Sequence, residues 1–328
     1  MSLELVCPAG TPAALHAAIA AGADTVYCGY RDCTNARNYP GLNFDRDEMA
    51  EGIDFAHRHG RKVLVAVNTF PVAGDPAPWH AAIDHAAASG ADAVILADIG
   101  VLDYAARRHP DLRRHLSVQA SASNELSIAW FRDRFDIRRV VLPRVLSVDQ
   151  IAALVRRIGI ETEVFAFGSV GPMSEGRCFL SSYITGLSPT SMGACAPASH
   201  VSYIDDGDAT LSCLGHVTLN RFKRGEPAAY PTPCKGRFVT HGHASYLFEE
   251  PVALNAIDIL GDLKAAGVTA LKIEGRQRGR AYVTEVVGSF RRGLDALERG
   301  DAGVVAHTLR SVAEGSRETH GAYKKGWR

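Results

Sequence analysis

The residues best suited to chemistry fall in one stretch, from Glu163 to Arg237. It holds Cys178, Cys195 and Cys234, three of the chain's seven cysteines. Gly176, Gly193 and Gly236 lie within two residues of them. A thiolate that reaches round a metal or cluster needs such a permissive backbone. The plainer readings are disulfides, buried free thiols and zinc. An odd cysteine count and the lack of a secretory segment argue against a disulfide framework. Buried free thiols are common in any core. Zinc sites usually carry close-spaced pairs; no C-x-x-C occurs here, and the gaps between these cysteines are wide. The spacing permits an iron–sulfur site without requiring one.

A second set is polar and scattered: Arg37, Asn68, Gln119, Arg144, Lys272, Glu274 and Arg276. Most fall just past a predicted strand end, and Arg37 lies in the second loop. Arginine grips a carboxylate with two parallel hydrogen bonds, so this mixture suits a small anionic or carbonyl-bearing substrate. The competing reading is a structural ion-pair ring. Strand alternation puts Lys272, Glu274 and Arg276 on one face, where the acid is expected to neutralise its two neighbours. The thirteen histidines contain no H-E-x-x-H pair. His57 and His59 diverge on a predicted helix, and His241 and His243 are weaker ligand candidates. No nucleophile with its base, and no metal to activate water, can be read from the spacing. Peptidase chemistry thus has little support, and no catalytic residue is assigned.

The elements that must position these residues follow one grammar. Helix, glycine and strand recur at Gly22-Ala23-Asp24, Gly90-Ala91-Asp92 and Gly267-Val268-Thr269. Thr11 is placed to cap a first helix that begins with Pro12. Eight strands are predicted, near residues 3–7, 25–28, 62–67, 93–96, 116–119, 140–142, 163–167 and 270–273. Helices are expected around 45–59, 79–90, 100–109, 124–134, 147–157 and 282–298. Apolar strands alternating with helices give a parallel sheet buried on both faces. Eight units predict a closed (β/α)8 TIM-like barrel. A doubly wound sheet is the runner-up, but Cys7-Pro8-Ala9-Gly10 is not a glycine-rich phosphate loop.

The barrel domain is expected over 1–299. A long insertion after strand 7, about 168–250, carries the cysteines over the C-terminal face, with the next helix near 253. Residues 300–328, with Tyr323 and Trp327, read as a polar tail. The 36 basic and 36 acidic side chains cancel, which weighs against a protein that mainly coats nucleic acid. No run is long enough to span a bilayer and no leader precedes the first strand, so a cytoplasmic protein with reduced thiols is expected.

Glu163, Phe165, Gly168, Ser169, Val170, Gly176, Cys178 and Ser181 fall in the order of a known signature. The segment resembles the collagenase-like peptidase family, whose members include oxygen-independent hydroxylases. Further ordered matches run along nearly the whole chain, at Leu5–Gly10, Thr34–Arg37, Val118–Ser121, Val140–Arg144, Lys272–Arg276 and Gly321–Tyr323. The resemblance implies a [4Fe–4S] cluster held by four cysteines. Three of those positions are Cys178, Cys195 and Cys234, while the first falls on Gly171. Three outcomes stay open: an open iron, a fourth ligand from Cys213 or Cys33, or no cluster. The likeness is to the UbiU branch. It implies hydroxylation of a ubiquinone-precursor ring, a heterodimer with a UbiV-like partner, and prephenate as oxygen donor. Two alternatives stand beside it. One is an RNA-base hydroxylase of the same family, against which neutral charge weighs. The other is a cluster-free, non-catalytic binding scaffold, which Gly171 keeps open.

Overall fold

The structure is a computed structural model and describes residues 2–301 and 309–325. Eight parallel strands close on themselves: Glu4–Pro8, Thr25–Gly29, Lys62–Val67, Ala93–Leu96, Arg113–Leu116, Ile137–Val141, Glu161–Ser169 and Ala270–Ile273. The eighth pairs with the first, Ala270 opposite Glu4, and with the seventh, Ala270 opposite Glu163. No barrel edge is left unpaired. The chain is therefore the expected (β/α)8 barrel and not a doubly wound sheet.

Local sequence explains the alternation. Lys62–Val67 is rich in β-branched residues that suit a pleated sheet. The helices between strands present apolar stripes to it. On Arg46–Arg58 that stripe is Met49, Ile53 and Ala56, all buried. Asp45 and Glu48 close that helix's first turn as a reciprocal cap, contributing roughly 1 kcal/mol. Thr11 accepts from the Ala14 amide, and Pro12 opens the first helix. Gly22, Gly90 and Gly267 all take positive φ where helix turns to strand.

The core has two parts. The larger lies between strands and helices, with Trp79, Phe44 and Phe290 fully buried. A smaller apolar cluster faces the barrel axis from strands one to four and eight, including Val6, Tyr27, Leu64 and Ile95. The opposite inner wall is ionic. Arg139 donates to Glu4, Glu161 and Glu163, and Lys272 donates to Glu163.

Two boundaries differ from expectation. The fifth strand is Arg113–Leu116, and the residues predicted as strand form a 3-10 turn, Val118–Ala120, capped by Ser117. The charged run at 113–115 hid the strand, because buried Arg114 satisfies its guanidinium on the carbonyls of Phe135 and Leu112. The helix after the seventh strand starts at Leu260, not near 253; Ala253–Asn255 first returns antiparallel to that strand.

The long segment after the seventh strand has its own structure. Two short helices, Leu180–Thr185 and Pro189–Met192, lead into a three-stranded antiparallel sheet spanning Val201 to Lys223. A hairpin follows, Arg237–Thr240 against His243–Tyr246. The segment sits over the C-terminal strand ends: Phe70 donates its amide to Thr190, Asn38 to Gly193, and the Ser121 hydroxyl to the Glu175 carbonyl. Residues 309–325 pack back on the barrel. Glu318–Thr319 pairs with Ala253–Asn255, and the Tyr323 hydroxyl donates to the Phe165 carbonyl at 2.5 Å. Trp327 lies outside the described residues. No helix among those described is long and apolar enough to cross a membrane.

Candidate functional site

Arg37, Asn68, Gln119, Arg144, Lys272, Glu274 and Arg276 all line one pocket in the barrel mouth. Tyr27 and Phe165 supply its aromatic walls. Arg37, Asn68, Gln119 and Arg144 follow four different strands, and Lys272, Glu274 and Arg276 come with the eighth, so closure of the barrel sets their spacing.

Their partners separate their roles. Lys272 donates to Glu163 Oε1 at 2.7 Å, and its ammonium lies 3.7 Å from the centre of the Tyr27 ring. Burial pulls Lys272 below its usual value, and Glu163 resists that shift. Glu274 does not neutralise Lys272 or Arg276, as the alternation had suggested. It reaches across the mouth, accepting from Arg37 Nη2 at 2.5 Å and Arg144 Nη2 at 2.8 Å. Lys272 is already satisfied by the neighbouring strand. Asn68 is spent on architecture: it accepts from the Ala36 amide and donates to Ser117 Oγ. Gln119 anchors the insertion, since its carbonyl lies against Gly176, where an added Cβ would sit 2.1 Å away.

Arg276 differs from the rest. Only 6% exposed, it donates to Asn35 Oδ1 at 3.0 Å and lies near the Tyr27 ring. No acid among the described residues pairs with it within salt-bridge distance. Burial pulls its guanidinium down to about 10. A desolvated cation with neutral partners, lining a pocket, has the chemistry to receive an anion.

Four contributors were not singled out as site residues from the sequence: Tyr27, Asn35, Glu163 and Glu175. Period-two alternation along 161–169 would have placed Glu163 and Phe165 inside with Lys272. Asn35 falls inside the Thr34–Arg37 match without standing out in it, and Glu175 lies in the glycine-rich run before Cys178.

Glu274 gives a pH prediction. Burial alone would raise its carboxyl; Arg144 and Arg37 outweigh burial and hold it at about 2. A carboxyl depressed in the folded state stabilises the fold above its unfolded pKa, and that contribution is lost as pH falls. Glu274 should thus contribute about 3 kcal/mol above pH ~5, fading toward pH ~2. Urea unfolding at stepped pH should show a shallower acid slope for Glu274→Gln than for the parent; equal slopes would refute the pairing.

The cysteines share one neighbourhood. Burial, then the charges of Cys195 and Cys178, push the Cys234 thiol up to about 11. The Tyr39 hydroxyl lies 3.3 Å from Cys195 Sγ. Gly176 and Gly193 take positive φ, and an added Cβ at Gly193 would meet the Asn35 carbonyl at 2.2 Å. Three soft sulfur donors suit iron–sulfur chemistry at three corners. Nothing lies within 4 Å of an added Cβ at Gly171. Cys213 is turned to Thr218 in the insertion's sheet, and burial raises the half-buried Cys33 thiol. Among the described residues no three His, Cys, Asp or Glu side chains are drawn close enough to hold an ion. The donor set thus fits in kind at three positions, and the remaining family position, Gly171, carries no side-chain donor atom. His241 and His243 lie on an exposed hairpin.

A family model described as Peptidase family U32 matches residues 10–327. An uncharacterized protease of Methanocaldococcus jannaschii is 30% identical over 303 residues, covering 91% of this chain and 66% of its own length. The tRNA hydroxylation protein P of Haemophilus influenzae is 29% identical over 360 residues, covering 98% and 75%. The 23S rRNA 5-hydroxycytidine C2501 synthase of Escherichia coli is 30% identical over 305 residues, covering 91% and 40%. This chain spans about two thirds of the first of these and well under half of the last. With a match that runs from residue 10 to residue 327, the chain belongs to peptidase family U32.

Proposed function

We propose that this protein is an oxygen-independent hydroxylase that seats a small dicarboxylate in the barrel mouth. The reading rests on Arg276, a buried guanidinium lining the pocket with an amide and an aromatic face as its partners. Prephenate, with two carboxylates and a ring hydroxyl, is the proposed oxygen donor. Arg276 binds one carboxylate, Lys272 adds a second positive charge beside it, and Tyr27 and Phe165 flank the ring. Glu274 holds Arg37 and Arg144 in place, and the insertion keeps bulk water from the mouth. Cys178, Cys195 and Cys234 would hold a [4Fe–4S] cluster, which when bound supplies one-electron chemistry.

The proposed acceptor is the aromatic ring of a ubiquinone precursor, with a UbiV-like partner on the insertion. Between residues 168 and 252 there are six Lys and Arg against seven Asp and Glu, so the insertion carries no net positive charge to draw a phosphate backbone. It exposes Phe179, Tyr183, Val239 and Leu247 instead, which suits an apolar partner or acceptor. Seven free thiols fit a cytoplasmic setting. A second reading, an RNA base as acceptor, is favoured by the names of the Haemophilus and Escherichia relatives.

The test is anaerobic turnover. Protein reconstituted with iron and sulfide, given prephenate and a UbiV-like partner, should hydroxylate a quinone precursor and leave tRNA and rRNA fragments untouched. Turnover of RNA alone would transfer the assignment to the second reading. No turnover of either, with iron bound by Gly171→Cys but not by the parent, would make this chain a binding scaffold.

A further inference from the structure

We propose that Glu175 is a specificity-determining residue: an internal carboxylate that occupies the mouth's second acid position and yields it only to ligands carrying two acids. The proposal rests on the carboxylate-binding reading of the mouth and goes beyond it to the ligand's acid count.

The mouth's four cations are not equivalent. Arg37 and Lys272 are held by acids of the barrel itself, Glu274 and Glu163. Arg276 is open to a first carboxylate. Arg144 is divided. Its Nη2 donates to Glu274 at 2.8 Å, while its Nη1 donates to Glu175 Oε1 at 2.6 Å. Its guanidinium lies over the Phe165 ring, 3.5 Å from the centroid, and its Nε is buried with no partner among the described residues. The arginine is thus fixed in place, and what changes is its partner.

Glu274 and Glu175 are anchored differently. Glu274 follows a barrel strand and is gripped by two arginines. Glu175 comes from the insertion and, among the described residues, its one side-chain partner is Arg144, with 18% of its side chain exposed. Its backbone is pinned independently: the Ser121 hydroxyl donates to its carbonyl at 2.7 Å, and Gly176 packs on the Gln119 carbonyl. The Glu175 side chain can therefore swing to water while the loop stays seated.

The exchange is selective. A monocarboxylate satisfies Arg276 and leaves Glu175 where it is. A dicarboxylate docked on Arg276 holds its second acid near Arg144 at a high effective concentration. It replaces one charge-assisted pair with another, and the displaced Glu175 carboxylate regains its hydration. Arg144 is never left unpaired.

Calorimetry with prephenate and phenylpyruvate, rings of similar size with two acids and one, tests this. Removing the competing charge in Glu175→Gln should tighten prephenate by about tenfold and leave phenylpyruvate within about twofold. Equal effects on both probes, or no effect on either, would overturn the role of Glu175. If Arg276→Ala weakens both probes while Glu175→Gln is silent, the carboxylate site stands and this proposal fails. If neither probe binds the parent or Glu175→Gln, both fail.

Discussion

Arg276→Ala is expected to weaken binding of a dicarboxylate such as prephenate by about tenfold or more, from a lost charge-assisted bond of roughly 1.5–3 kcal/mol. Stability should move the other way or not at all. Arg276 is a buried cation without an acid, so the folded chain bears its desolvation and regains only the Asn35 bond and the Tyr27 face. Lost affinity with an unchanged or raised Tm separates a ligand-binding residue from a structural one, whose loss would lower both. Arg276→Lys should not restore affinity, because an ammonium cannot reproduce the two-pronged grip. Unchanged affinity by calorimetry would remove Arg276 from the site.

Glu163→Ala should give the larger stability effect. Glu163 is fully buried and accepts from both Lys272 and Arg139. Truncating it leaves Lys272 desolvated without its acid, while Arg139 keeps Glu4 and Glu161, a loss of about 3–5 kcal/mol. Burial alone would raise the Glu163 carboxyl, but Lys272 and Arg139 outweigh burial and hold it below the ordinary range. Its contribution is therefore present above the unfolded carboxyl pKa and disappears as pH falls through the folded value. Urea unfolding should show the gap between parent and variant at pH 7 and a narrower gap in acid. Removing the cation as well, in Glu163→Gln with Lys272→Met, should recover much of the loss; no recovery would mean the damage is a packing defect.

The barrel was legible because its grammar is local. Helix, positive-φ glycine and buried strand are written in consecutive residues, as at Gly90 before Ala93–Leu96. The mouth residues were legible as positions past strand ends. Their partners were not. Arg37 and Glu274 are 237 residues apart, and Lys272 and Glu163 are 109 apart, so only the shear of the closed barrel decides which acid meets which base. The fifth strand was misplaced because an outward arginine can be buried if backbone carbonyls receive it. The insertion's sheet escaped notice because exposed strands such as Val201–Asp205 show no clean alternation of buried and open positions.

Closure by the last strand bears on how the molecule is made. The Tyr27 hydroxyl donates to the Ile273 carbonyl, a contact across 246 residues. Lys272, Glu274 and Arg276 all arrive with that final strand. On the ribosome, seven strands exist before any mouth does. Through that interval the first strand and the seventh up to Phe165 keep a bare edge, and Arg37 and Arg144 wait for the acid that joins them. Long-range pairing of this kind is slow, and open parallel edges invite pairing with other chains. The pocket thus forms in one late step, and a nascent chain stalled before residue 270 presents sticky strand edges and no binding site.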